Sequence, residues 1–445
     1  MPISENKLEI KWGPLFNAVK HSKSVEIKGK IVKNVGLIAE AQGLRLSIGS
    51  ICKIENDQGE KILSEVVGFR DKRVLLMPYG DTMGIRPGSS VSLVDKNPKA
   101  GVGNGYLGRV INGMGRPIDG LGPVKPDHEY PLYGTPINPM DRRQITEVMD
   151  VGVKAINAMV TLGRGQRVAI MSGSGVGKSV LMGMMTRHTE ADVTIIGLIG
   201  ERGREVKDFV ENNLGKEGLK KAVVIAATSD SPPLVRMRGA YLSTAMAEYF
   251  RDQGKNVLLI IDSITRFAMS SRDVGLAAGE PPTSRGYTPS FFVKIPILLE
   301  RAGTVHNKGS ITGIYTVLVE GDDLNDPVGD TVRSIVDGHI VLSRKLANRA
   351  HYPAIDVLES VSRVMRDVSD GGHMKARDAL VNIMATYRDA EDMITIGAYV
   401  DGSDKTIDRA KKLMPKINEF LRQDISRQCP IGMSISELQV LNNIP

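Results

Sequence analysis

Among 445 residues there are only two cysteines, Cys52 and Cys429. They stand far apart and outside any metal-ligand spacing, which leaves a disulfide framework or a zinc site without support. Two buried thiols are expected instead. Long apolar runs are also missing. The longest, residues 222–227 and 257–261, fall well short of the ~20 residues a membrane-spanning helix requires. The chain starts MPISENKLEIKWG, placing acidic residues ahead of any apolar stretch, unlike the basic-then-apolar order of a secretory signal. A cytoplasmic protein is expected. Aromatics make up only 4% of the chain, and residues 25–94 hold just Phe69 and Tyr79. That is too few for a platform on which nucleic-acid bases stack, so no specific nucleic-acid partner is expected.

What is present is ordinary for a globular protein: 41% hydrophobic and 24% charged residues. The length calls for about two or three domains, since domains run ~100–200 residues. Lys and Arg outnumber Asp and Glu by 58 to 51, a net charge of +7. That excess suits an acidic membrane or partner as well as a plain solvated surface, so charge alone does not choose.

Residues 1–24 carry Leu8, Leu15, Phe16 and Val19 among charges, a weak amphipathic pattern read either as a short partner-binding helix or as a frayed terminus. Residues 25–94 change to short β-rich runs (VEIKGKIV, SICKIEN, RVLLMPY, SSVSLVD) between Gly, Asn-Asp and Pro-Gly, the pattern of a small closed barrel. A Gly- and Pro-rich stretch over 97–146 reads as an ordered connector. Beyond it the apolar strands RVAIM, VTIIGLIG, KAVVIAATS, NVLLIIDS, GIYTVLVEG and HIVLS alternate with helical sequence. This predicts an α/β parallel sheet with helices on both faces. From about residue 366 the spacing is helical only. The expected division is therefore 1–24, a β-barrel at 25–94, a nucleotide-binding α/β domain at 95–365 and a helical domain at 366–445.

RVAIM runs into Ser172-Gly173-Ser174-Gly175-Val176-Gly177-Lys178-Ser179 and then, from Val180, into a helical run. Strand, glycine-rich loop and helix in that order make a phosphate loop. Its backbone N–H groups curl around a β-phosphate at a helix N-terminus, Lys178 reaches the β- and γ-phosphates, and the Ser179 hydroxyl ligates Mg²⁺. Ser172 replaces the first glycine of the usual pattern. NVLLIIDS ends in Asp262, a carboxylate suited to Mg²⁺ and its waters. Taken alone, Asp262 is as readily a helix N-cap before ITRFAMSSR. VTIIGLIG ends at Glu201, placed either to polarise an attacking water or to pair on the surface with Arg202 or Arg204.

Taken in order, SGSGVGKS, GERGREV, LLIIDSITRFA, GEPPTSRGYTPSFF and HYPAIDVLESVSRVM resemble the family of rotary-synthase catalytic subunits and secretion ATPases over nearly the whole chain. The resemblance implies a RecA-like P-loop NTPase core with an N-terminal β-barrel and a C-terminal helical domain. It implies ATP and Mg²⁺ as substrate and cofactor, Lys178 on the phosphates, Ser179 and Asp262 at the metal, Glu201 as catalytic carboxylate and Arg202 beside it. It also implies Tyr352 packed on adenine and Arg363 as an arginine finger acting on a neighbouring subunit, hence a homohexamer. Against these roles stand a partly buried core aromatic for Tyr352 and a structural ion pair for Arg363.

DVGVKAINAMVTLGRGQR and SGSGVGKSVLMGMM are closest to the flagellar-export branch. That branch implies a stalk-like regulatory partner on residues 1–24, membrane gate components, exported proteins and their chaperones, and acidic lipid at the inner face of the cell membrane. Alternatives are a virulence secretion ATPase, a synthase catalytic subunit or, more remotely, a hexameric RNA translocase. Lys178→Ala is expected to abolish ATP hydrolysis with the fold intact, because a phosphate loop lies at a surface. Near-wild-type turnover in the folded variant would overturn the assignment.

Overall fold

The computed structural model describes residues 12–14, 16, 28–319 and 326–444. The expected partner-binding segment, residues 1–24, lies almost wholly outside them. Two compact units emerge, Met1–Asn97 and Pro98–Pro445.

In the first unit, β1 (Lys28–Val35), β2 (Ile38–Gln42), β3 (Ile51–Glu55), β4 (Lys61–Arg70), β5 (Arg73–Pro78) and β6 (Ser90–Asp95) close in the order β1-β2-β5-β4-β3-β6. Alternate residues point inward, and Ile31, Ala41, Cys52, Ile54, Val66, Val74 and Val91 fill the interior. Closure leaves no unpaired strand edge. The four β-rich runs of the sequence supply β1, β3, β5 and β6. Strands β2 and β4 escape that reading because IAEAQ is poor in β-branched residues and KILSEVVGFR mixes charge into its pattern.

The second unit is built on one sheet. β10 (Arg167–Ser172), β11 (Val193–Ile199), β12 (Ala222–Ala227), β13 (Asn256–Asp262), β15 (Ser310–Leu318) and β16 (Gly338–Leu342) are the six strands expected from sequence. They run parallel in the order β16-β10-β15-β13-β11-β12. Every residue of β11 and β12 is buried, as strands covered on both faces must be.

Other strands come from places the sequence did not mark. The connector contributes β8 (Val110–Asn112) as a parallel edge beside β12, and β7 (Lys99–Val102) pairs with β9 (His128–Pro131). Short β14 (Gly303–Thr304) lies antiparallel on β15, and β17 (Ile355–Ser362) antiparallel on β16.

Long helices at Lys178–His188, Pro233–Asp252, Ile264–Ala278 and Pro289–Leu299 cross between strands. The C-terminal helices Gly371–Thr395, Lys405–Leu421 and Ile431–Asn442 share their apolar core with the nucleotide-side residues. Leu380, Leu413, Ile417, Leu438 and Leu441 belong to one cluster with Ile156, Met159, Val168 and Leu181. Among the described residues no helix is long and apolar enough to cross a membrane.

Arg301, fully buried, donates from Nε and Nη2 to Glu248 at 2.8 and 2.6 Å and from Nη1 to the Leu132 carbonyl at 2.9 Å. A guanidinium without water is tolerable only because its charge and its donors are met together. Glu248→Ala should therefore lower stability by about 3–5 kcal/mol, read as a fall in thermal midpoint, and Arg301→Met in the same chain should recover part of the loss. A single variant that melts with the wild type would show that the pair contributes nothing.

Candidate active site

In a parallel sheet the C-terminal strand ends share one edge, so whatever follows each strand gathers there. Here those residues are the phosphate loop after β10, Glu201 after β11 and Asp262 at the end of β13. The loop and Glu201 border a cleft of ≈ 710 Å³ lined by Gly173, Ser174, Gly175, Gly177, Lys178, Ser179, Val180, Glu201 and Arg202, with Asp262 behind it.

The loop's shape follows from its glycines. Gly175 (φ 78°) and Gly177 (φ 96°) take left-handed backbone that L side chains rarely adopt, and Gly177 leads directly into the helix Lys178–His188. Ser172, by contrast, is the last strand residue of β10 and needs no such conformation. That is why serine is accommodated at the pattern's first glycine. Val176 turns its side chain into the core, leaving its backbone in the loop.

Lys178 lines the cleft but is largely shielded. Its side chain is 11% exposed, with Nζ in a close ion pair with Asp262 and 3.6 Å from Glu201 Oε1. Asp262 Oδ1 also accepts from Thr316 Oγ1 at 2.6 Å. Lys178→Ala therefore strips a buried carboxylate of its counter-charge, so the expected loss of hydrolysis is to be read beside the variant's thermal midpoint.

Asp262 is not a helix cap. Ser263 takes that place, accepting from the Arg266 N–H at 3.3 Å. Nor is Glu201 in a surface pair with its neighbours, because Arg202, 80% exposed, turns instead to Glu205 at 3.0 Å. Burial, then the Asp262 charge and a hydrogen bond to Glu205, push the Glu201 carboxyl up to about 7 against the opposing pull of Lys178. Glu205 is held correspondingly low.

Tyr352 comes to the same site from a distant part of the chain. It is 45% exposed, and a Cβ on Gly177 would lie 3.5 Å from its ring. The Tyr352 carbonyl accepts from the Gln423 N–H at 3.0 Å. Beside it opens a ≈ 350 Å³ hollow walled by Lys154, Arg422, Gln423, Asp424 and Arg427.

Arg363 alone is not brought in. Gly338 at the start of β16 pairs with Ser362, whereas Leu342 at its end pairs with Ser172. Four residues separate those levels, about 13 Å at ~3.3 Å per residue, and the phosphate loop lies farther still. Arg363 is exposed at the opposite edge of the sheet, without a carboxylate partner among the described residues.

Sequence reasoning missed Arg344, whose Nη1 donates to the Ser174 carbonyl at 3.1 Å. Its position directly after strand HIVLS was the available signal. It also missed the residues at 422–427, which nothing local connects to a nucleotide. The donor set fits Mg²⁺, which takes one or two protein oxygens beside phosphates and waters: Ser179 lies exposed in the cleft and Asp262 behind it. A cage of three or more His, Cys, Asp or Glu is absent among the described residues.

The chain matches the family model of the ATP synthase alpha/beta family, nucleotide-binding domain, over residues 152–362. It matches that family's beta-barrel domain over 31–93 and the T3SS EscN ATPase C-terminal domain over 369–440. It is 47% identical over 440 residues to a flagellum-specific ATP synthase of Bacillus subtilis, covering 97% of this chain and 99% of that protein. With the flagellum-specific ATP synthase of Salmonella typhimurium it is 47% identical over 424 residues, 93% of each chain. Among solved structures, the assembled ATPase EscN of the enteropathogenic E. coli type III secretion system superposes with a TM-score of 0.88 at 44% identity, covering 93% of this chain and 100% of that one. EscN in complex with its central stalk EscO gives 0.86 at 42%, with the same coverage.

The raised Glu201 affinity for a proton has a sign that can be checked. The folded chain holds this proton up to about pH 7, the unfolded chain only to about pH 4.3. The stability it confers is complete below the lower value and lost as pH rises through the upper. Glu201→Gln should therefore gain thermal midpoint relative to wild type between pH 5 and pH 8. Parallel midpoints across that range would place Glu201 in an unperturbed setting.

Proposed function

The chain belongs to the ATP synthase alpha/beta family, and we propose that it is the ATP-hydrolysing subunit of a homohexameric motor energising export of flagellar proteins through a type III secretion apparatus. The observation that carries the enzymatic part is the convergence of Lys178, Asp262 and Glu201 behind a phosphate loop. The flagellar part rests on the relatives named flagellum-specific ATP synthase, which match nearly end to end.

In this reading the loop N–H groups and Lys178 bind the β- and γ-phosphates of ATP. Ser179 and Asp262 would hold Mg²⁺, which supplies positive charge against the phosphates. Glu201, ionised, orients and polarises the attacking water from the cleft wall. Arg202, steadied by Glu205, adds positive charge at the cleft mouth. Tyr352 offers a flat apolar face to adenine, and its exposure and closeness to Gly177 support this role over that of a core aromatic. Arg363 acts on the neighbouring subunit, which its distance from its own site favours.

EscN is described as assembled and as complexed with a central stalk. That supports a ring for this chain, with a stalk-like protein engaging residues 1–24. We place the ring in the cytoplasm at the inner face of the cell membrane, against gate components and acidic lipid, where it receives exported proteins and their chaperones. We retain domain limits at 24, 94 and 365.

The likeness to EscN favours, as a second reading, a virulence secretion ATPase. Substituting Lys178→Ala in the source bacterium separates the two: the flagellar reading requires loss of flagellar filaments, and normal filaments would sink it. The ring mechanism has its own test. Arg363→Ala and Glu201→Gln chains, each nearly inactive alone, should regain ATPase activity when co-assembled, because some interfaces then pair an intact Glu201 with an intact Arg363. Verified mixed rings as inactive as either parent would show that Arg363 acts within its own subunit or not at all.

A further inference from the structure

We infer that Gln166 is a positioning residue for Arg363, a buried amide that fixes the backbone from which the arginine reaches the next subunit. The inference rests on the reading that Arg363 acts in trans. An exposed arginine without a carboxylate partner among the described residues owes its direction to the chain that carries it, and that chain is gripped at two points. Ser362 Oγ donates to the Thr161 carbonyl at 2.7 Å and accepts from Gln166 Nε2 at 3.1 Å. The Arg363 N–H donates to the Asp337 carbonyl at 2.9 Å.

Gln166 Nε2 spends its other hydrogen on that same Asp337 carbonyl, at 3.1 Å, while Gln166 Oε1 accepts from the Gly163 N–H at 2.9 Å. One fully buried amide thus joins the two residues that bracket the arginine's attachment. Both its hydrogens are used, and a misplaced donor here would leave a polar group unpaired in a dry setting.

The grip is anchored. The Asp337 carboxylate receives Arg167 through its N–H, Nε and Nη2, each at 3.0 Å. Arg167 in turn pairs with Glu300, which Arg142 Nη2 also holds at 2.6 Å. This set sits at the N-terminal edge of the sheet and supplies none of the residues lining the nucleotide cleft. Gln166 immediately precedes β10, whose far end is the phosphate loop. A single strand therefore has its own chain's phosphate site at one end and, at the other, the mounting of the arginine that serves the neighbouring subunit.

Displacing a catalytic group by ~1 Å can cost roughly 10²-fold in rate. Gln166→Leu, which removes both donors at similar volume, should lower kcat by about that factor while assembly and the KM for Mg-ATP stay within about twofold. A core hydrogen bond of no further consequence would not give the mixing pattern that follows. Co-assembled with Glu201→Gln, the Gln166→Leu chain should recover activity, because it still offers an intact Glu201 to a well-mounted Arg363. Co-assembled with Arg363→Ala it should not, both chains being deficient on the arginine side.

Recovery with Arg363→Ala instead, or a wild-type kcat, overturns the inference. Should Gln166→Leu fail to fold, Ser362→Ala removes the hydroxyl it grips and must give the same pattern in milder form, or the inference fails. The Arg363→Ala and Glu201→Gln pair is the reference. If that pair does not recover, the trans reading itself is wrong. If it recovers while Gln166→Leu with Glu201→Gln does not, only the positioning role is.

Discussion

One ammonium group stands between two carboxylates that the sheet forces together. β11 and β13 are neighbours, Leu198 opposite Asp262, so a parallel sheet delivers Asp262 and Glu201 to the same edge whether or not their charges agree. In a poorly solvated cleft that proximity is unfavourable. Lys178, first residue of the helix that follows the phosphate loop, offsets it from the far side. It does so incompletely, and Glu201, the farther of the two, keeps an elevated affinity for its proton. The same arrangement suits the chemistry, since a cation already directed into the cleft needs little movement to meet a phosphate, and a carboxylate near neutrality is poised for proton traffic.

Much of the fold was legible because its strongest signals are local. Six apolar runs alternating with helical stretches became six parallel strands, and the barrel's β-branched runs became strands of a barrel. What escaped was set by tertiary context. IAEAQ pairs as β2 because its neighbours offer free edges on both sides. VIN in the connector is too short to announce itself and becomes β8 only because β12 has an edge to cover. IDVLESVS interrupts its apolar residues with acidic ones, yet it closes the other edge as β17.

The site divides along the same line. The loop, its lysine and the strand-end carboxylates follow from a run of eight residues and two strand ends. Arg344 could have been found by extending the strand-end rule to HIVLS. The wall at 422–427 could not, because it reaches Tyr352 through the packing of helices that come some seventy positions later. Local pattern likewise gives no hint that Lys178 would be shielded. Shielding depends on Thr316, Asp262 and Glu201 arriving from three different strands.

The shared apolar cluster of the second unit bears on how the chain is made. Ile156 and Leu441 belong to one core, nearly three hundred positions apart. A ribosome adding roughly 5–20 residues per second needs about 15–60 s to travel between them. Throughout that interval the face formed by Ile156 and Met159 lacks part of its cover, since Ile431–Asn442, the last of the helices packed on it, is still unmade. The phosphate loop and both strand-end carboxylates leave the ribosome well before the floor beneath them is finished. For this chain, synthesis of the nucleotide site and its completion are separate events, with a sticky, half-built intermediate between them that is open to folding helpers and to aggregation alike.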